Sequence, residues 1–139
     1  MSDFVIDSSV AVKWLFLEPG SVEAQKLLER FKFFSAPNLF LIEMDSVITK
    51  KVRQQKLDAS AALPKRKQVR NLPYKITAYE NIDQLSFELA ISLPVTLYDA
   101  AYVATAIENY ATLYTADERL VNGLSNTSLS KYVKSIADL

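Results

Sequence analysis

The chain has 139 residues, carries 16 acidic and 16 basic side chains, and contains no histidine and no cysteine. Its length suits one domain, and the missing residue types exclude disulfide scaffolds, cysteine zinc sites and every catalytic site built on histidine. With only 2 glycines, the nucleotide-binding loops G-x-G-x-x-G and the P-loop are excluded too. Any chemistry must therefore depend on carboxylates, lysines, hydroxyls or a metal ion bound through oxygen.

Short apolar runs alternate with longer amphipathic segments along the chain. The first strand is predicted at residues 3–7, with Ser8 or Ser9 as the cap of a helix that ends at Leu17. Asn38 is predicted to cap a later helix, and Pro64 to kink or split the helix after it. Further strands are predicted at residues 33–37, 74–79, 111–115 and 131–136, and further helices at 21–31, 38–55, 58–72, 81–93, 99 to about 109, and from 117 onward.

This order of elements is strand, two helices, strand, two helices, strand, two helices, strand, helix, strand. Such alternation is typical of an α/β fold with a mostly parallel sheet. No linker, repeat or low-complexity segment interrupts it, so residues 1–139 are expected to form a single domain.

Four acidic residues fall where this arrangement would bring side chains together. Asp7 is the last residue of the first predicted strand, Asp117 lies just past a later one, and Glu43 and Asp99 lie in the first turns of predicted helices. Sites in parallel sheets form outside the carboxyl ends of the strands, so these carboxylates are expected to converge. Converging carboxylates repel one another, and Mg²⁺, which prefers oxygen ligands, would relieve that repulsion. The alternative for each aspartate is a plain helix cap, and for Glu43 a solvated helix position.

The segments around these acids resemble the motifs of one family. They are FVIDSSVAVKWL, APNLFLIEMDSVI, LPVTLYDAAYVATA and LYTADERL, which contain Asp7, Glu43, Asp99 and Asp117 in that order. With them the chain resembles the PIN domain family over nearly its whole length, and specifically the VapC-type toxin ribonucleases. The resemblance implies a three-layer α/β/α fold with a central, mostly parallel sheet.

The resemblance also implies an activity and partners. The four acids would form the catalytic and metal-binding site for Mg²⁺ or Mn²⁺, and Ser9 and Thr115 would support it through hydroxyl hydrogen bonds. The protein would be a metal-dependent endoribonuclease, the toxin of a toxin–antitoxin pair, with a small antitoxin protein as partner and a homodimer as its assembly. Two alternatives stay open: a housekeeping RNA-processing nuclease, and a PIN-like module that binds RNA or protein without cutting.

RNA would need cationic contacts near the acids. Lys50 and Arg53 fall on the same helical stripe as Glu43, and Lys13 lies on the helix after the first acid. These three cations are the candidate RNA-binding residues, and a solvated helix face is the equal alternative. Tyr102, one turn after the third acid, is predicted either to stack a base or to pack in the core. Most aromatic residues of the early helices are expected to be core residues.

Other classes fit less well. A haloacid-dehalogenase-type phosphatase needs a second acid two residues after the first, where this chain has Ser9. A receiver domain needs an acid pair after the first strand and a lysine after a late strand, and neither is present. Because no apolar run reaches the length of a membrane span and the N-terminal segment lacks a basic start, a cytoplasmic protein without a membrane partner is expected.

Overall fold

The structure, a computed structural model, describes residues 4–139, and a five-stranded sheet forms its centre. All four strand pairings in the sheet are parallel, which confirms the predicted α/β/α class. Residue 3, the first position of the predicted first strand, lies outside the described residues. The strands are β1 (Phe4–Ile6), β2 (Phe34–Pro37), β3 (Tyr74–Thr77), β4 (Thr112–Thr115) and β5 (Val133–Ser135).

Within residues 4–139, seven α-helices connect these strands in the predicted order. Because parallel crossovers are right-handed, the first four helices cover one face of the sheet and the last three cover the other. That residues 1–139 form a single domain stays a prediction. The helices are α1 (Ser8–Leu15), α2 (Ser21–Leu28), α3 (Leu39–Arg53), α4 (Ala62–Arg70), α5 (Asp83–Ser92), α6 (Leu97–Glu108) and α7 (Glu118–Leu124).

Two helix starts differ from the prediction because other side chains cap them. Helix α1 is capped by the Asp7 carboxylate, which accepts a backbone N–H of the first turn, and not by Ser8 or Ser9. Helix α6 begins two residues before Asp99, and its cap is Thr96, whose hydroxyl accepts the Asp99 N–H at 3.1 Å. A threonine cap with an acid three positions later is a common signature of a helix N-terminus.

Two further local predictions are refined by the structure. Asn38 precedes α3 as predicted, but its side chain makes no cap bond; its Oδ1 accepts the backbone N–H of Tyr79 at 2.9 Å. The predicted helix over residues 58–72 is split into a short 3₁₀ turn, Ala59–Ala61, and α4. Pro64 lies in the first turn of α4, where a backbone N–H has no helical partner to lose.

The two central strands of the sheet, β1 and β4, are followed by connections that run in opposite directions, and this point is called the sheet divergence. The order is β3–β2–β1–β4–β5, so the chain leaves β1 toward one edge and leaves β4 toward the other. Pairing of β1 with β4 sets Ile6 beside Tyr114, and therefore Asp7 beside Thr115. Ligands of open α/β sheets bind at such a divergence, outside the carboxyl ends of the strands. The first predicted acid therefore borders the crevice that the topology creates.

The core lies on both sides of the sheet and contains the aromatic residues that the sequence assigned to it. Phe34 and Phe40 are fully buried, and their rings meet edge to face with centroids 5.6 Å apart. Trp14 packs on Phe34 and donates its Nε1–H to the backbone oxygen of Ala24 at 2.7 Å. In the part of the chain that the structure describes, no helix combines the length and the hydrophobicity that crossing a bilayer requires.

Candidate active site

Asp7 follows β1, and hydroxyl groups from two elements hold its carboxylate. Its Oδ1 accepts the Ser9 hydroxyl at 2.6 Å and, at 3.3 Å, the backbone N–H of Val10. Its Oδ2 accepts the Thr115 hydroxyl at 2.6 Å. The Ser9 hydroxyl also accepts the backbone N–H of Ala116 at 2.9 Å, which ties the end of β4 to α1. Ser9 and Thr115 therefore hold the Asp7 carboxylate, and their supporting role in a catalytic site stays a prediction.

The Asp7 carboxylate is buried at an energetic cost. Only 7% of the residue is exposed, and this burial raises its pKa from 3.8 to about 6. The negative charge of Glu43 raises the pKa further, while the hydrogen bonds from Ser9, Thr115 and Val10 oppose the rise. A helix cap does not need to be buried beside a second carboxylate, because desolvation and like charge both destabilise the ionised form. Helix capping alone therefore does not account for Asp7.

Glu43 lies on α3, and a tyrosine from the opposite helix layer holds it. The Tyr102 hydroxyl donates to Glu43 Oε1 at 2.5 Å, and the Ser8 hydroxyl donates to the same oxygen at 3.4 Å. Burial raises the pKa of Glu43, these two hydrogen bonds lower it, and the charge of Asp99 raises it again. The Glu43 carboxylate is therefore fixed by two hydrogen bonds and partly removed from water, so the alternative of a solvated helix position does not apply.

Tyr102 is a core residue of α6 with one polar contact. It is 3% exposed, so its ring is not available to stack a base, and the packing alternative of the sequence analysis is the one observed. Burial and the adjacent Glu43 raise the pKa of the Tyr102 hydroxyl far above its ordinary value. The hydroxyl is consequently protonated at every physiological pH and acts as a permanent donor to Glu43.

Asp99 is the third residue of α6, and its carboxylate is not used for capping. Thr96 supplies the cap, so the helix-cap alternative does not explain Asp99. Its charge raises the pKa of Glu43, which places the two carboxylates within electrostatic reach. Asp99 also lines an open cavity of about 310 Å³ together with Thr96 and the side chain of Arg119.

Asp117 differs from the other three acids because its carboxylate is turned onto its own helix. Its Oδ1 accepts the backbone N–H groups of Arg119 at 3.0 Å and Leu120 at 3.4 Å, as an N-cap of α7. Its own backbone N–H donates to the Thr115 hydroxyl at 3.0 Å, and that hydroxyl bonds Asp7. The predicted metal-binding role of Asp117 stays a prediction.

The donor set of the site fits a hard divalent cation. The negative charges of the three acids influence one another. The charge of Glu43 raises the pKa of Asp7, and the charge of Asp99 raises the pKa of Glu43. Among the residues that the structure describes, both side chains that donate to Glu43 bond its Oε1, and Asp7 Oδ2 accepts the Thr115 hydroxyl alone. Each carboxylate thus retains lone pairs for a cation, and a cation would remove the repulsion that raises both pKa values. Across residues 4–139, however, no three acidic side chains lie close enough together to form a group that could hold a metal ion as they stand, so metal binding by these carboxylates stays a prediction.

The structure places the predicted RNA-binding cations in two settings. Lys50 and Arg53 are exposed on α3 and lie about 10 and 15 Å beyond Glu43 along the helix axis, at a rise of about 1.5 Å per residue. Lys13 instead donates its ammonium group to the backbone oxygen of Pro19 at 2.7 Å, and its side chain is 14% exposed. The role of all three in RNA binding stays a prediction.

Two residues of the site were not assigned to it by sequence reasoning. Arg119 lines the cavity beside Asp99, its side chain is 80% exposed, and its guanidinium lies 3.5 Å from Asp117. Its position in the first turn after a site acid was the available signal. The contact of Tyr102 with Glu43 had only a weak signal, because the two residues are 59 positions apart and meet through packing.

Replacing Tyr102 with phenylalanine should weaken metal binding without unfolding the protein. The ring still fills the core, but Glu43 loses its shortest hydrogen bond and is free to turn away from its neighbours. Partners that orient metal ligands typically contribute about 10- to 100-fold in metal affinity. We expect a loss of about tenfold in Mn²⁺ affinity, measured by titration calorimetry, and a circular dichroism spectrum like that of the unmodified protein. Unchanged affinity would show that Tyr102 does not orient Glu43.

Comparisons with known proteins agree with the fold. The PIN domain family model matches residues 4–122 of the chain. No curated protein matches. The structure is similar to the crystal structure of PAE2754 from Pyrobaculum aerophilum, with a TM-score of 0.73 and 19% sequence identity. That similarity, which covers 98% of this chain and 85% of the other, shows a shared fold. The match to the family model spans most of the chain, and the protein belongs to the PIN domain family.

Proposed function

We propose that this protein is a metal-dependent endoribonuclease that hydrolyses RNA phosphodiester bonds. PIN domains are generally nucleases and typically use divalent metal ions. The observation that supports the proposal here is the group of Asp7, Glu43 and Asp99 beside the sheet divergence, in which Asp7 is buried, Glu43 is partly buried, and burial raises the pKa of both. Structural carboxylates are seldom buried together without a cationic partner, and perturbed pKa values cluster at functional sites.

In this proposal each side chain has a distinct task. Asp7, Glu43 and Asp99 would hold Mg²⁺ or Mn²⁺, and Asp117 would complete the site. When bound, such an ion activates water and stabilises negative charge on a phosphate. The chain itself supplies rigidity, because the hydroxyls of Ser9 and Thr115 fix Asp7 and those of Ser8 and Tyr102 fix Glu43.

Arg119 forms an ion pair with Asp117, and in this proposal it is placed to meet a phosphate. Its guanidinium is exposed in the same cavity as Asp99. Arginine binds phosphate oxygens through two parallel N–H groups, which also orients the phosphate. Arg119 therefore joins Lys13, Lys50 and Arg53 among the proposed RNA contacts.

The proposed contact of α3 with RNA predicts a change in salt dependence. Replacing both Lys50 and Arg53 with glutamate should weaken RNA binding and lower the slope of log affinity against log salt by about 1.4, at about 0.7 per lost phosphate contact on a single strand. The matched control replaces Arg30 and Lys32, which are exposed and precede β2, at the amino ends of the parallel strands and away from the acids at their carboxyl ends. Fluorescence anisotropy between 50 and 300 mM salt measures both slopes. Equal slopes for the two variants would show that α3 only faces solvent.

Cleavage with a defined chemistry is the direct test of the proposed activity. Total bacterial RNA is incubated with the purified protein and Mg²⁺ or Mn²⁺, and new ends are mapped by sequencing. We expect a small set of cleavage sites that carry 5′-phosphate ends and that disappear when EDTA removes the metal. A protein that binds RNA but leaves every transcript intact with both metals would be the non-cutting module instead.

The biological role proposed is that of a toxin held by a small antitoxin, acting as a homodimer in the cytoplasm. This part depends on the resemblance of the four sequence motifs to VapC-type toxins. Expression of the chain alone in a bacterial host would separate the two nuclease roles. A toxin would arrest growth and Asp99→Asn would relieve the arrest, whereas a housekeeping nuclease would leave growth unchanged.

A further inference from the structure

An apolar cleft opens between α3 and α6 on the surface beside the acids. It has a volume of about 340 Å³, and its walls include Leu39 and Ile42 from α3 and Leu97 and Tyr98 from α6, with Tyr79 at one end. Ile42 is 68% exposed and Tyr98 62%, so two large side chains stand open to solvent. Exposed apolar groups gathered in a concave site are typical of a binding site.

Two residues that line the cleft are direct sequence neighbours of two of the acids. Ile42 directly precedes Glu43, and Tyr98 directly precedes Asp99. The hydrogen bond between Tyr102 and Glu43 joins the same two helices immediately beside the cleft. A group bound in the cleft would therefore lie next to a polymer chain that reaches the acids.

The rim of the cleft carries one fixed polar group. The Asn38 side chain lines the cleft, and its Oδ1 accepts the backbone N–H of Tyr79 at 2.9 Å. That bond assigns the amide orientation, because only the oxygen can accept an N–H. The Asn38 amide nitrogen is left as an oriented donor at the edge of an otherwise apolar site. An apolar wall, an exposed aromatic ring and an oriented amide are the groups that recognise an unstacked base.

We propose that the cleft between α3 and α6 is a subsite for one unpaired nucleobase of the RNA, with Tyr98 as its stacking platform. This inference depends on the proposed nuclease function and names a determinant of its substrate choice. The volume lies at the small end of ligand pockets, which suits a single base. A stable interface between two copies of the chain involves about 20 to 30 residues per partner, whereas seven residues line this cleft.

RNA binding without cleavage tests the subsite. A fluorescein-labelled, single-stranded RNA pool of ten random positions is titrated in EDTA with the unmodified protein, Tyr98→Ala and Tyr98→Phe. The control is Phe87→Ala, which removes a ring of similar exposure from α5. Stacking of one base on one ring contributes about 5- to 150-fold in affinity. We expect Tyr98→Ala to weaken binding at least fivefold, and Tyr98→Phe and Phe87→Ala to bind like the unmodified protein.

Two results would overturn the subsite. They are equal affinity of Tyr98→Ala and the unmodified protein, and no binding of the pool by the unmodified protein. Equal affinity together with a change of oligomeric state in Tyr98→Ala, measured by light scattering, would assign the cleft to contacts between copies of the chain. Failure of the proposed nuclease function is distinguishable, because a protein that binds RNA through Tyr98 but never cuts it keeps the subsite and loses the activity.

Discussion

Replacing Asp99 with asparagine is expected to abolish RNA cleavage while the fold stays intact. The substitution keeps the shape of the side chain and removes a negative charge that acts on Glu43. Thr96 still caps α6, because its hydroxyl bonds the Asp99 backbone N–H and not the carboxylate. Loss of a partner that orients a metal ligand already costs about 10- to 100-fold, so loss of a proposed ligand should exceed about 100-fold. Cleavage rates with saturating Mn²⁺ measure the effect.

The matched control for Asp99→Asn is Asp58→Asn. Asp58 is exposed, lies before a short 3₁₀ turn and makes no side-chain cap bond, so the same chemical change occurs far from the acids. Asp58→Asn should cut RNA like the unmodified protein. Full activity in Asp99→Asn would contradict the assignment of these carboxylates as the catalytic site.

Replacing Asp7 with asparagine should stabilise the metal-free protein at neutral pH although it disables the proposed site. The pKa of Asp7 is raised to about 6 from 3.8, chiefly by burial, so the folded state binds this proton more tightly than the unfolded chain does. The resulting stability is fully present below about pH 4 and is lost as pH rises through about 6. A shift of about two pKa units corresponds to about 3 kcal/mol, which is the upper bound of the gain expected in Asp7→Asn.

Urea denaturation in EDTA at pH 4.5 and pH 7.5, followed by circular dichroism, measures this gain. The unmodified protein should lose stability between the two pH values, and Asp7→Asn should lose less, with Glu43 as the remaining titrating group. Asp58→Asn should follow the unmodified protein at both pH values. If Asp7→Asn is less stable than the unmodified protein at pH 7.5, the prediction is wrong. The hydrogen bonds of the Asp7 carboxylate would then outweigh the cost of burying its charge.

The sheet and the approximate position of every helix followed from local sequence patterns. Strands such as FVI and TLYT are short apolar runs, and the helices between them show amphipathic spacing. Element ends were less accurate because they depend on side chains that compete for the same N–H groups. The sequence allowed Ser8 and Ser9 equally as the cap of α1. In the structure the Ser9 hydroxyl bonds Asp7 and the Ser8 hydroxyl bonds Glu43, so neither caps the helix.

The site was predictable to the extent that it depends on topology. Asp7 and Asp117 follow neighbouring strands, and parallel pairing of β1 with β4 brings those strand ends together. The arrangement of the carboxylates was not predictable, because it depends on contacts across the sheet edge. The Tyr102 bond to Glu43 and the Arg119 contact with Asp117 depend on helix rotations that sequence spacing leaves open.

Calorimetric titration of Mn²⁺ into the purified, metal-free protein tests the central claim most directly. The account predicts binding to the unmodified protein at pH 7.5, and much weaker binding to Asp99→Asn under the same conditions. Such a result would mean that the carboxylates of Asp7, Glu43 and Asp99 act as one cation site. A folded, unmodified protein that binds no Mn²⁺ would contradict the account, and the carboxylates would then have to be explained by structural roles alone.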